Sequence, residues 1–315
     1  MDNLATDISE ANAGNAAPEQ LPRFMSVKQV AGYLQINEKK VYALVGDGMI
    51  PASKITGKWL FPKDLVDQWL LESCHGGLLT DRMLIAGSDD PLLYRAIIRI
   101  ANEFQASALI SFTPTVTQLG LTLLARRRAD LCGMSWGPAE ESHQRHPALI
   151  RQYPQHNDWL LVRLFRREQG LIMTPGAWTS GASLERLFSS ETRWVAHEQG
   201  TGSQRFLLEL VSQYDLDLAS RRIASHAFSE RDAASLIAMG YADVTIGVRA
   251  SATEYGLDFL PIGWEAFDLA MHRGIFFRTL FQSLLEHIRS KDCQSHARML
   301  GGYDLSEAGK LIWPA

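Results

Sequence analysis

Apolar positions along this chain change their period near residue 80, and the change marks out its organisation. From residue 23 to residue 71 they recur three and four apart in short runs. Val27, Val30, Ala31 and Leu34 form one stripe behind Ser26, and Val41, Leu44 and Val45 form a second behind Asn37. That spacing predicts two short amphipathic helices, each opened by a side chain able to cap free N–H groups, with a tight connection around Gln35 and Ile36. Gly48 is free to take a left-handed conformation and predicts the end of the second helix. "ASKI" and "KWLF" about Thr56-Gly57 then read as a small hairpin. Pro62 suits the start of a third helix, in which Leu65, Val66, Trp69 and Leu70 are expected to pack back.

Beyond "ESCHGGLLTD", expected to be a linker over residues 72–81, strands alternate with helices. "RMLIAG", "ALISF" and "ADLCGM" read as buried strands. Between them lie a helix burying Leu92, Leu93, Ala96, Ile97, Ile100 and Phe104 and a second helix in "TQLGLTLLARRR". The alternation resumes with "RWVAH", the helices in "QRFLLELVSQY" and "SERDAASLIAMG", and the strand "ADVTIGV". This is the pattern of a parallel sheet covered by helices, in two lobes. "NDWLLVRLFRREQGLIM" is extended and predicted to cross from one lobe to the other, and "GLDFLPIGWEAFDLAM" to cross back. Apolar residues around "YDLSEAGKLIW" predict a final docked helix.

Composition narrows the classes. The net charge of −4 excludes a general polycation, so any nucleic-acid contact must be local. Cys74, Cys132 and Cys293 are far apart and form no metal-binding or disulfide spacing, so no cofactor or metal is expected. No apolar run approaches a membrane span, and residues 1–22 are acidic where a signal peptide is basic. They are expected to be a flexible tail on a cytoplasmic protein.

In residues 23–71, turning the apolar stripes inward leaves Glu38, Lys39, Lys40 and Ala43 outward, and the Thr56-Gly57 turn sets Lys54 and Lys58 beside the helix. "MSVKQVAGYLQINEKKVYALVGDGMIPASKITGKWLFPKDLVDQWL" resembles the excisionase-type, MerR-related winged helix-turn-helix family. The resemblance implies a recognition helix from Asn37 to Val45, a wing from Lys54 to Phe61, and double-stranded DNA as partner. Asn37, Lys39, Lys40, Tyr42, Lys54 and Lys58 are then the candidate DNA-binding residues. From residue 23 to residue 75 the charge is only about +2. Phosphate neutralisation dominates affinity, so a homodimer on an inverted repeat is expected.

In an α/β sheet, ligands sit beyond the carboxyl ends of the strands, where helix N-termini offer unpaired N–H groups. Four such turns carry hydroxyls: "AGSDDP", "FTPTVTQLG", "GTGSQR" and "AFSERD". Together with "LTLLARRRADLCGM", "REQGLIMTPG", "GYADVTIGVRASATEYGLDFLPI" and "EAFDLAM", they make nearly all of residues 82–292 resemble the periplasmic-binding-protein-like domain of some bacterial regulators, and the domain is expected to span residues 82–315. The implied fold is a two-lobed, type II α/β domain related to molybdate-binding proteins, and the implied role is sensing a small-molecule or oxyanion effector. The "QGTGSQR" match assigns ligand roles to Thr201, Gly202, Ser203 and Arg205; Ser88, Asp89, Thr117, Ser229 and Glu230 complete the expected set. Asp89 stands where the family commonly has histidine, and Ser229-Glu230 replaces a Thr-His-like pair. Both changes bring negative charge, which weakens an oxyanion reading and strengthens that of a zwitterionic or hydroxyl-bearing organic ligand, leaving the two on an equal footing.

Other classes stay open. The second unit could merely dimerise an architectural, excisionase-like factor. An enzyme needs an acid/base pair, and His197 and His226, nearest the cleft turns, have no carboxylate partner identifiable in the sequence, so none is expected. Trp136, Trp178 and Trp264 are candidates either for the cleft wall or for the core.

Overall fold

The computed structural model describes residues 22–48, 50–72, 82–177, 184–219 and 221–314. Nearly all of the expected tail and linker, Cys74 and Trp178 lie outside the described residues. The chain divides into two compact units, Met1–Cys74 and His75–Ala315.

The first unit runs β1 (Phe24–Met25), α1 (Val27–Leu34), α2 (Glu38–Gly46), β2 (Ser53–Ile55), β3 (Lys58–Pro62) and α3 (Lys63–Glu72). Ser26 and Gln29 cap α1 reciprocally. Gln35 takes the left-handed region at φ 54° and turns the chain toward α2, where Asn37 Oδ1 accepts from the Lys40 amide at 2.8 Å. Thr56 and Gly57, at φ 49° and 81°, supply the two positive φ angles that a tight hairpin turn requires. The strands form one antiparallel sheet in the order β1-β3-β2. Met25, Val30, Ala31, Val41, Ile50, Phe61 and Val66 make the core. Leu65 and Leu70 do not pack back as expected: they are 47% and 38% exposed. Helix α3 turns Val66 and Trp69 inward, which carries positions 65 and 70 about 100° round to either flank.

The second unit begins with β4 (Arg82–Gly87), α4 (Pro91–Phe104), β5 (Leu109–Pro114), α5 (Thr117–Ala125), β6 (Leu131–Met134) and α6 (Ser142–Ile150). The long strand β7 (Trp159–Met173) crosses to the second lobe. There follow α7 (Leu184–Leu187), β8 (Arg193–His197), α8 (Gly202–Tyr214), β9 (Arg222–Ala227), α9 (Glu230–Ala238), β10 (Val244–Val248) and α10 (Arg249–Tyr255). Strand β11 (Asp258–His272) returns, and α11 (Arg273–Phe276), α12 (Thr279–Arg289), α13 (Lys291–Leu300), β12 (Tyr303–Asp304) and β13 (Leu311–Trp313) complete the chain.

The sheet order β5-β4-β6-β11-β7-β10-β8-β9 places three parallel strands at each end. Between them β7 and β11 pair antiparallel along their whole lengths and serve both lobes. Helix α4 buries Leu92, Leu93, Ala96, Ile97 and Ile100 against lobe one, with α12 alongside. Lobe two packs α8 and α9 on opposite faces of its strands.

The final segment departs from expectation. Gly301 and Gly302, both at positive φ, break the helical run, and "YDLSEAGKLIW" adds two short strands to β7. Beyond the reach of β10, which pairs residues 169–173, β7 would otherwise leave peptide groups unpaired; β12 meets residues 166 and 167, and β13 meets 161 and 162.

The first unit is small, so its stability rests on few side chains. Phe61→Ala removes a fully buried ring and is expected to cost about 3–5 kcal/mol. Scanning calorimetry should show the low-temperature transition abolished and that of the second unit unmoved.

Candidate functional site

In the first unit Asn37, Lys39, Lys40, Tyr42, Lys54 and Lys58 are all exposed, as a nucleic-acid surface requires. The lysines of α2 follow from the inward turn of Val41. Asn37 spends its carbonyl oxygen on the α2 cap. Tyr42 is 53% exposed and belongs to the surface rather than the core. On the hairpin, Lys54 Nζ lies 5.5 Å from the Trp59 ring centroid, which steadies the strand pair from one face. Tyr33 Oη donates to Asp67 at 2.7 Å and Lys63 Nζ reaches the same carboxylate at 2.6 Å, bracing α1 against α3.

In the second unit the two lobes meet over a buried polar cluster at the carboxyl ends of their parallel strands. The "SDDP" turn supplies two carboxylates. Asp90 caps its own helix α4, accepting from the Leu92 and Leu93 amides at 2.8 and 3.0 Å. Asp89 reaches the other lobe: both its oxygens accept from the Glu230 amide, at 3.0 and 3.1 Å, so it closes the N-terminus of α9. At Gly202, which opens α8, a β-carbon would collide with Ser135. The lobes also join through Arg145 of α6 and Glu209 of α8, and through Arg231 of α9 over the Tyr94 ring of α4 at 4.8 Å.

The hydroxyl turns divide into two kinds. Thr201 and Ser229 are helix caps, bonded to the Gln204 and Asp232 amides. Ser88 and Thr117 cap nothing; their hydroxyls pair at 2.9 Å, and Thr117 is fully buried. Ser203 is buried and donates to Glu230 in a very short bond. Arg205 lies at the rim, its side chain 40% exposed, with Nε on Glu209 at 2.9 Å.

The cation of the buried cluster is Arg167, which the sequence reading did not single out. Its Nε donates to Glu265 at 2.7 Å, and its terminal nitrogens reach the Asp89 carbonyl at 2.6 Å, Asp90 at 3.0 Å and Ser135 Oγ at 3.3 Å. Arg167 and Glu265 are direct partners across the β7–β11 ladder. Gln169 Nε2 bonds both Glu265 and Ser203, and Tyr303, from the final segment, donates to Asp90 at 2.9 Å. Burial opposes the charge on Arg167, yet Glu265, Asp90 and Glu230 outweigh it and hold the guanidinium charged. Burial pushes the Asp89 and Glu230 carboxyls up to about 7; Asp89 also feels the Glu230 charge, while Arg167 restrains both.

A second buried ion group braces the hinge nearby. Asp268, opposite Arg163 in the ladder, pairs with that arginine and with His146 Nδ1 at 2.7 Å. Burial opposes ionisation of Asp268, but His146 and Arg163 prevail and lower its pKa. His197 is a core histidine, its Nε2 on the Ile246 carbonyl at 2.7 Å, and His226 is exposed. Trp136 packs partly buried against the Leu121 cluster, while Trp264 is 37% exposed. Among the described residues no group of three or more His, Cys, Asp or Glu side chains is disposed to hold a metal, and no helix is long and apolar enough to cross a membrane. A depression of about 350 Å³ lies beside the lobe junction, lined by α4 of one lobe, by Arg231 and Glu254 of the other, and by α12 and α13.

A helix-turn-helix joined to a two-lobed α/β domain is the make-up of a DNA-binding regulator with a ligand-binding part. The PBP superfamily domain matches residues 101–289, more than half the chain, and the chain belongs to that superfamily. A helix-turn-helix domain matches residues 24–73. The uncharacterized protein YvgK of Bacillus subtilis strain 168 is 20% identical over 306 residues, 91% of this chain and 97% of that one. An uncharacterized protein in the 5′ region of a ferredoxin 2Fe-2S gene of Clostridium pasteurianum is 32% identical over 103 residues, 32% of this chain and 88% of that one. Among solved structures, a mutant of OxyR from Corynebacterium glutamicum with H2O2 bound is similar in fold, with a TM-score of 0.50 at 14% identity over 87% of this chain and 90% of that one. The regulatory domain of Synechocystis PCC6803 CcmR in complex with 2-PG gives a TM-score of 0.46 at 16% identity, covering 66% of this chain and 95% of that one.

The raised carboxyls make stability depend on pH. Unfolded, they titrate near 4; folded, near 7. Between those values the folded chain binds more protons than the unfolded, so stability falls as pH rises from about 4 to about 7 and stays reduced above. Asp89→Asn removes one carboxyl and its repulsion of Glu230. Thermal melts should show the variant more stable than the parent at pH 8, with the difference shrinking to nothing as pH approaches 4.

Proposed function

We propose that this protein is a cytoplasmic, ligand-responsive transcriptional regulator. Its excisionase-type winged helix-turn-helix grips double-stranded DNA through Lys39, Lys40 and Tyr42 on α2 and through Lys54 and Lys58 on the wing. Its PBP-like unit binds a small oxyanion or small organic metabolite between the lobes. The observation that carries the sensing reading is the junction itself, where side chains and helix N-termini of both lobes converge on one buried polar cluster. Ser88, Thr117, Gly202, Ser203 and Glu230 line that convergence; Arg205, Thr201 and Ser229 hold its rim. Asp89 and Glu230 favour an organic ligand over a bare oxyanion, because ionised carboxylates repel an anion in a low-dielectric site. The near-neutral first unit favours a homodimer reading two half-sites.

A ligand changes DNA affinity only through its preference for one lobe arrangement over another. Gly202→Ala sets a methyl group against Ser135 and biases the lobes apart. It is expected to remove any effector-dependent change in DNA affinity, measured by fluorescence anisotropy, and to hold the affinity at the value of the separated-lobe arrangement with or without effector.

The DNA surface has its own test. The double substitution Lys39→Ala, Lys40→Ala should weaken operator binding and flatten the slope of log affinity against log salt by about 2, as two phosphate contacts are lost. Footprinting of the parent should show two half-sites related by a two-fold axis; an unchanged slope excludes α2 from the interface.

A further inference from the structure

The interlobe cluster contains more acceptors than donors. Four buried carboxylates, Asp89, Asp90, Glu230 and Glu265, surround the single guanidinium of Arg167. Arg167 directs its hydrogen bonds to Glu265, Asp90, the Asp89 carbonyl and Ser135, and gives none to Glu230. Three oxygens in the same cluster are buried without a hydrogen-bond partner: Glu230 Oε2, Glu265 Oε2 and Gln169 Oε1. Their parent side chains are 6%, 0% and 0% exposed.

The side chains that carry these three oxygens are joined by hydrogen bonds through their other polar atoms. Gln169 Nε2 donates to Glu265 Oε1 at 2.6 Å and to Ser203 Oγ at 3.1 Å, and Ser203 Oγ donates to Glu230 Oε1. The chain Glu265, Gln169, Ser203, Glu230 therefore ties the groups together: each glutamate is fixed through its Oε1 with Oε2 left unpartnered, and Gln169 is fixed through its Nε2 with Oε1 left unpartnered. A buried acceptor left unpaired costs about 1–3 kcal/mol, more if charged. Three at one site call for a donor. An oxyanion or a carboxylate brings only acceptors. A protonated primary amine brings three N–H donors and a positive charge.

Resting on the cleft reading above, we propose that the effector carries a protonated amine, held by Glu230 Oε2, Glu265 Oε2 and Gln169 Oε1, with Ser203 positioning the Glu230 and Gln169 side chains. The surroundings add a proton linkage. Asp89 and Glu230 hold protons up to about pH 7, with Asp90, Arg167, Glu265 and His197 facing them and Asp232 following on α9. An ammonium group entering this cluster drives those protons off, so its affinity rises as pH increases through 7.

The test uses the full chain and three sets of probes at matched ionic strength, read by thermal shift and calorimetry. The amines are methylammonium, ethanolamine and putrescine; ethylene glycol is the neutral control; the anions are glycolate, phosphate and molybdate. At least one amine is expected to stabilise the second unit, with affinity at pH 8 about tenfold above that at pH 6 and with proton release on binding. Glu230→Gln, which keeps the shape and loses the charge, should weaken that amine about tenfold or more. Its own melting temperature reports whether it folds, and Gln169→Leu tests the third acceptor separately. Stabilisation by an anion but by no amine, undiminished in Glu230→Gln, overturns the amine assignment and leaves the cleft reading standing. If no probe stabilises the parent or either variant, both readings fall.

Discussion

Everything in the second unit depends on charges buried within a strand ladder. Two arginines of β7 sit directly opposite two acids of β11, Arg167 facing Glu265 and Arg163 facing Asp268. Fully desolvated charges are tolerated only when paired and further hydrogen-bonded. That requirement fixes the register of the two crossing strands. It also draws in the surroundings: Asp90 from the first helix, Ser135 after the third strand, Tyr303 from the final segment, and His146 and Ser142 from α6. The hinge between the lobes is therefore a specified object, and the carboxylates that specify it reach the junction where a ligand is expected.

The architecture was legible because periodicity reports burial. The helical stripes of residues 23–71 and the alternating strands and helices beyond 82 are direct records of which faces turn inward. The two crossing strands were legible for the same reason, since each is an extended run too long for one lobe. The final segment was misread because "YDLSEAGKLIW" has helix-compatible spacing, and only the tertiary structure reveals the unpaired edge of β7 that claims it. Leu65 and Leu70 were misread because a short helix on a small core buries a narrower stripe than its apolar content suggests.

The candidate site was half legible. Turn chemistry picked out Ser88, Asp89, Thr117, Ser203 and Glu230, all of which meet at the lobe junction. It did not separate hydroxyls that cap, such as Thr201 and Ser229, from those that face the cluster. Arg167, Gln169 and Glu265 were missed, although a signal existed: "LFRREQ" sets charged and amide side chains two apart in a run otherwise apolar enough to be buried. A charge in a buried strand implies a partner, and "GWEAFDLAM" holds two acids in β11, the other fifteen-residue strand among the described residues. The departure of Asp89 from the family pattern has a structural reading too, since its side-chain oxygens supply the α9 N-terminus with acceptors from within the chain.

The strand additions at the chain's end bear on assembly as well as on packing. Two long strands with exposed edges would be an invitation to edge-to-edge association with another molecule. Here β11 covers one side of β7, while β13, β12 and β10 cover successive stretches of the other. The outermost strands of that covering are only two and three residues long, too short to template a further strand. The terminal strands of the sheet are β5 and β9, at the far ends of the two lobes. The segment that finishes the fold thus covers the stretch of β7 that β10 does not reach.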